Sequence, residues 1–168
     1  MGIRRVITGH DHNGKAVILA DEEVASISAG GFSYDPMWAS DVAAVVPNDG
    51  SIPSHPTFFP GPSGARVFTW IAQPEGADVP AATLEEMEAA APGIMSYLEP
   101  DHPGMHTTQT IDVDVILSGE IWMEVDNGVE THLKAGDIVI QNGTRHAWHN
   151  RTNQPTVVLS VLIGATQA

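Results

Sequence analysis

Between residues 106 and 120 the chain reads HTTQTIDVDVILSGE, and its side chains sort by parity. Even positions carry His106, Thr108, Thr110, Asp112 and Asp114; odd positions carry Thr107, Gln109 and then Ile111, Val113, Val115 and Leu117. Successive residues of a strand point to opposite faces. From about residue 110 the pattern therefore predicts a strand with its apolar face in a core and its polar face turned elsewhere. Water would be served there by Thr, Lys and Glu. A histidine with a carboxylate six residues on points instead to the floor of a ligand pocket.

Other short apolar or alternating runs predict strands at 3–8, 15–20, 42–46, 66–72, 111–117, 120–125, 129–133, 137–141 and 156–163. Asn13-Gly14 marks a hairpin tip, and Asp126-Asn127-Gly128 and Lys134-Ala135-Gly136 mark two more turns. One stretch, ATLEEMEAAAPG, predicts a helix over 83–91, with Thr83 as cap, Glu86 three residues on, and Pro92-Gly93 as the stop. Five prolines in residues 47–64 predict a loop connecting the two halves, and twelve in the chain disfavour long regular elements. Short strands at this turn spacing predict an all-β sandwich or barrel with one short helix.

Composition narrows the chemistry. At 168 residues, 42% hydrophobic and 17% charged, the chain suits a single globular domain, residues 1–168. A net charge of −14 repels phosphate backbones and anionic lipid, so neither nucleic acid nor membrane is an expected partner. No apolar run is long enough to span a bilayer, and MGIRRVITGHDHNG lacks the apolar core of a signal peptide, which predicts a soluble cytoplasmic protein. There is no cysteine, so any metal must be held by histidine and carboxylate.

Two blocks carry that chemistry: Gly104-x-His106-x-Thr108-x-x-x-Asp112-x6-Gly119, and Gly136-Asp137-x-x-x-Gln141-x-Gly143-x-x-His146-x-x-x-Asn150. Together they resemble the paired signature of the cupins, over residues 102–163, with 1–100 expected to add amino-terminal strands, the proline-rich crossing and the helix. The phrase GDIVIQNGTRHAWHN is similar to small single-domain cupins of bacteria and to fungal secondary-metabolite enzymes described as oxidoreductases. The resemblance implies a double-stranded β-helix, or jelly-roll, barrel. It also implies a small-molecule enzyme (oxidoreductase, decarboxylase or isomerase) acting on a small organic acid or aromatic compound.

The chain departs from the family pattern at Thr108, where a second metal histidine belongs, at Asp112 in place of glutamate, and at Gln141 in place of proline. His106, Asp112 and His146 remain. Two imidazoles and one carboxylate form the facial set used for non-haem iron, and manganese, nickel or zinc suit the same ligands. Two readings stand. In one, these three residues hold a divalent metal and carry catalysis, with Asp112 as a candidate general base. In the other they are metal-free pocket groups that hydrogen-bond one another, in a binding module or an acid/base isomerase or cyclase. Thr108, Thr110, Gln141 and Trp148 are the expected substrate contacts, Trp148 because it shares parity with His146.

The remaining histidines are less informative. His10 and His12 sit at a hairpin tip, His102 lies in a loop, His132 reads as solvent-facing, and His149 as surface. Trp38 and Trp70 read as core. Trp122 is out of step with Ile121, Met123 and Val125, which makes it exposed or a subunit contact. A homodimer is expected, both from the resemblance and because RRVITG and TVVLSVLIG, as edge strands, would be sticky unless paired.

Overall fold

The computed structural model describes residues 3–53 and 55–166. The chain opens with an antiparallel hairpin, β1 (Ile3–His10) and β2 (Ala16–Val24), whose tip holds Asn13-Gly14 as the dipeptide predicts. Next come β3 (Ile27–Ala29), β4 (Phe32–Ser40) and β5 (Ala65–Ala72), then the helix α1 (Leu84–Ala90). The second half supplies β6 (Thr110–Ser118), β7 (Glu120–Val125), β8 (Val129–Lys134), β9 (Ile138–Asn142), β10 (Ala147–His149) and β11 (Thr156–Gly164).

A six-stranded sheet in the order β3-β4-β5-β11-β6-β9 faces a three-stranded sheet β10-β7-β8, and the two close into a double-stranded β-helix barrel. Because β11 pairs with both β5 and β6, the two halves of the chain share one sheet. This corrects one expectation: TVVLSVLIG is a central strand, so its backbone groups are already paired and it is no edge.

Local signals were accurate where the chemistry is local. Thr83 and Glu86 form the reciprocal capping box on α1, each side chain meeting the other's backbone N–H. The β7–β8 turn places Asn127 and Gly128 at positive φ (62° and 68°), as a tight hairpin demands. Residues 42–46, however, are irregular and exposed: Ser40 accepts from the Val42 N–H in a turn, and no strand among the described residues pairs with them. Conversely β4, which holds Asp35 and Pro36, pairs with β5 through a register shift between Pro36 and Trp38, and the bulge accommodates the missing proline N–H.

The parity prediction for β6 holds, but the faces are reversed. Thr110, Asp112, Asp114 and Ile116 point into the barrel and are buried, while Ile111, Val113 and Val115 lie half-buried on the outside and Leu117 is exposed. Inside the barrel one apolar cluster, Ile116, Ile121, Met123, Leu133 and Val158, fills the closed end. Another, Tyr34, Phe58, Phe68, Ala91, Ile94 and Leu162, fills the end under α1. The polar stretch of β6 lies between them.

Candidate active site

His106 and His146 are brought together by backbone. An isolated bridge joins them, with His106 N–H donating to the His146 carbonyl (3.0 Å) and His146 N–H to the His106 carbonyl (2.9 Å), and the ring centroids sit 4.2 Å apart. Each ring makes the same local bond: His106 Nδ1 to the Gly104 carbonyl and His146 Nδ1 to the Thr144 carbonyl, both 2.9 Å. A carbonyl only accepts, so these bonds put the proton of each neutral ring on Nδ1 and leave the Nε2 lone pair. At His146 the Gln141 amide nitrogen also lies 3.2 Å from Nδ1, and the closer Thr144 carbonyl at 2.9 Å is the partner that accepts the N–H. Burial lowers the pKa of His106, and drives His146 down to about 4, with the neighbouring His106 adding to the effect.

Asp112 projects from β6 beside them, 5% exposed. Gln141, fully buried between Asp112 and His146, donates its amide to Asp112 Oδ2 (3.3 Å), but Asp112 Oδ1 has no hydrogen-bond partner among the described residues. Asp114, one step further along the same face, accepts from Ser160 Oγ–H at 2.5 Å; Ser160 Oγ in turn accepts from Trp70 Nε1–H at 2.9 Å. Burial lifts Asp112 to about 6. It lifts Asp114 to about 7, against the pull of the Ser160 bond and with the help of the Asp112 charge.

These groups floor a cavity of about 130 Å³ whose walls are Phe32, Phe58, Phe59, Phe68, Trp70, Ile94, Trp148 and Leu162. Of the expected substrate contacts Trp148 lines the cavity. Thr108, Thr110 and Gln141 do not: the two threonine hydroxyls bond each other (2.8 Å), and all three are buried behind the floor. The sequence reading left Asp114 and Ser160 without a role and gave Trp70 to the core. Parity alone places Asp114 with Asp112. Ser160 needed the β11–β6 register, which sets it opposite Asp114. Phe58 and Phe59 come from the proline-rich crossing, which thereby forms part of the wall.

A larger cleft of about 390 Å³ lies on the hairpin side, but its cations are committed. Arg66 bonds Asp41 and three carbonyls, and Arg5 bonds Glu22 and two carbonyls. His102 is exposed and pairs with Glu99. His149 is half-buried rather than free on the surface, held between Glu75 and Glu124. Trp122 has partners within its own chain, stacking on His132 (4.1 Å, 5°) beneath the Arg151 guanidinium.

The donor chemistry of His106, Asp112 and His146 suits a divalent metal: two imidazole lone pairs and an unpaired carboxylate oxygen. Their spacing does not close around one. Among the described residues the one trio whose ligand atoms all lie within 4.8 Å is Glu124, Glu130 and His149. That trio is an ion-pair network with Glu75 and Arg151.

Barrel, paired histidines and inward carboxylates together define a protein with a small-ligand pocket in a double-stranded β-helix. The cupin domain family Cupin_2 matches residues 95–162, so that stretch of the chain is of cupin type. Phomopsin biosynthesis cluster protein C' of Diaporthe leptostromiformis is 29% identical over 153 residues, 89% of this chain and 71% of that protein. The cupin-domain-containing oxidoreductase virC of Hypocrea virens is 30% identical over 53 residues, 32% of this chain and 27% of that protein. Among solved structures the Schizosaccharomyces pombe Cnp3 cupin domain superposes with a TM-score of 0.51 at 9% identity, covering 98% of this chain and 89% of that one, a likeness of fold. No helix among the described residues is long and apolar enough to cross a membrane.

Proposed function

We propose that this protein is a small-molecule enzyme that moves protons on a hydroxyl-bearing ligand about the size of a single ring. The unpaired Asp112 Oδ1, from a carboxylate that lines the same cavity as His106 and His146, carries this reading. All three are acceptors, so the ligand that satisfies them brings donors. A dry cavity of about 150 Å³ accommodates benzene, so the volume of about 130 Å³ here limits the ligand to one small ring or a short acid. The walls, rich in Phe and Trp, favour the ring.

Asp112 and Asp114 lie on one strand face, and ionising one holds the proton on the other. Near neutral pH the first is mostly a carboxylate and the second partly protonated. One removes a proton from a carbon or oxygen of the ligand and the other returns one, the balance of an isomerisation or cyclisation. The neutral imidazoles orient the ligand hydroxyl. Kinship with a fungal biosynthesis-cluster protein over 89% of the chain supports a biosynthetic substrate, while the oxidoreductase name belongs to a relative matched over 53 residues.

Phenol and anisole, followed by tryptophan fluorescence from Trp148 and Trp70, test it. Phenol is expected to bind about tenfold or more tightly than anisole, because a buried acceptor left unpaired costs about 1–3 kcal/mol. Asp112→Ala should erase the difference. Equal affinities sink the reading. The second reading, a divalent metal on His106, Asp112 and His146, rests on their donor chemistry alone and requires the three to draw closer together than they lie here. Near-stoichiometric metal in untagged protein, lost in His106→Ala with His146→Ala, would establish it in place of the first.

A further inference from the structure

Two hollows sit side by side on the inner face of the large sheet, and strand register places the division between them. Directly opposed residues of neighbouring antiparallel strands point to the same face. One such row runs Pro36, Phe68, Ser160, Asp114 across β4, β5, β11 and β6. Pro36 faces the hairpin-side cleft of about 390 Å³, whereas Ser160 and Asp114 face the cavity of about 130 Å³. Phe68, between them in the row, faces both. The next row, Ala39, Arg66, Leu162, Asp112, divides the same way: the first two face the cleft and the last two the cavity. Phe58, from the crossing loop, packs on Phe68 with ring centroids 5.1 Å apart. Among the described residues these two phenylalanines alone line both hollows.

We infer that Phe58 and Phe68 are the specificity-determining residues of the pocket: a fixed partition that holds the ligand to a single ring and shuts an alkyl-substituted ring out of the cleft. The inference rests on the proposed function for its direction. A hydroxyl bound at Asp112 on β6 leaves the opposite end of the ring toward β5, two strand spacings or about 10 Å away. The substituent opposite the hydroxyl therefore meets Phe68.

The partition is anchored. Phe58 N–H donates to the Pro92 carbonyl at 2.8 Å, and the Thr57 carbonyl just before it accepts from Arg66 Nε–H (3.3 Å) and Nη2–H (3.0 Å). Tyr34 packs on both rings, at 5.1 and 5.9 Å, while its hydroxyl donates to the Ala90 carbonyl at 2.9 Å. Moving Phe58 aside with its backbone breaks these bonds, so the rings act as a wall. Beyond them the cleft presents Tyr34, Pro36 and Ala39. Its guanidinium groups already bond Glu22, Asp41 and backbone carbonyls, so the space suits a hydrocarbon chain.

Fluorescence of Trp70 and Trp148, both cavity walls, follows phenol, 4-ethylphenol, 4-butylphenol and 4-hexylphenol into the full chain. The unsubstituted protein is expected to bind 4-hexylphenol at least about tenfold more weakly than phenol, because the tail has nowhere to go. In Phe68→Ala the order inverts, each methylene buried in the cleft strengthening binding by about fourfold. Circular dichroism decides whether that variant is folded. Should it not be, Phe58→Ala, which sits on a loop and leaves every strand intact, gives the same inversion. Trp148→Leu enlarges the cavity on the opposite sheet without joining the cleft, so its gain should stop at the ethyl group. Binding of 4-hexylphenol by the unsubstituted protein as tight as that of phenol overturns the inference. So do folded phenylalanine variants that still reject the tail, or a Trp148→Leu that accepts it as fully as they do. Every ligand in the series carries the same hydroxyl, so a failed phenol–anisole contrast sinks the proposed function and leaves the length dependence readable.

Discussion

Replacing Asp114 by Asn will make the protein more stable at pH 8 by about 3 kcal/mol, and by clearly less at pH 5. The carboxyl is 4% exposed and its pKa is raised to about 7 by burial. A folded-state pKa above the unfolded value means the fold prefers the protonated acid. That preference is fully met below the usual carboxylate range and is lost as pH rises through about 7. Asn keeps an oxygen to accept the Ser160 hydroxyl and has no proton to lose. Urea unfolding of both proteins at the two pH values measures the gap, and a gap that stays constant refutes a buried, titrating Asp114. His146 runs in the opposite sense. Its pKa is lowered to about 4, so its contribution is present above about 6.5 and lost as pH falls toward 4. Pocket chemistry thus squeezes stability from both sides.

Gly164→Ala is expected to be the most damaging single-methyl change in the chain, costing about 3–5 kcal/mol and lowering Tm by roughly 10 °C. Gly164 ends β11, opposite Thr110, and its N–H donates to the Gly64 carbonyl at 2.9 Å. A Cβ there would lie 1.8 Å from the Gly61 carbonyl oxygen and 2.8 Å from its carbon, both backbone, so no side chain can rotate away. The tail of the crossing loop must shift, and Phe58 and Phe59, a few residues upstream, are cavity walls. Phenol affinity should fall together with stability. Gly136→Ala is the comparison: φ is +95° there but the space is open, so its cost is backbone strain of about 1–2 kcal/mol. Calorimetry that ranks the two variants the other way removes the proposed steric lock.

Features governed by residues close in sequence were legible before any coordinates. The Thr83–Glu86 capping box, the Asn-Gly turns and the period-2 alternation of residues 110–118 each involve partners within a few positions, so side-chain type and spacing determine them. The paired motif blocks likewise announced the barrel and put His106, Asp112 and His146 in one place. Pairing was beyond the sequence, because a strand exists only where another strand's edge is free. AAVVP pairs with no strand and is irregular, although β1 has an open edge beside it, while FSYDPMWAS, unpromising with its proline, was accepted beside β5 at the cost of a bulge. Alternation says that β6 has two faces but not which one is inside. Only closure of the barrel decided that the carboxylates go inward and the valines outward, because the interior there is a pocket between two apolar clusters rather than continuous core. By itself, then, the sequence determined the turns, the cap, the strand periodicity and the residue types of the site. Tertiary structure decided which distant atoms meet: Ser160 on Asp114, Gln141 between Asp112 and His146, and Phe58 and Phe59 over the cavity. Those contacts depend on register and crossing-loop path, which are settled by the total free energy of the packed barrel and by no short stretch of chain.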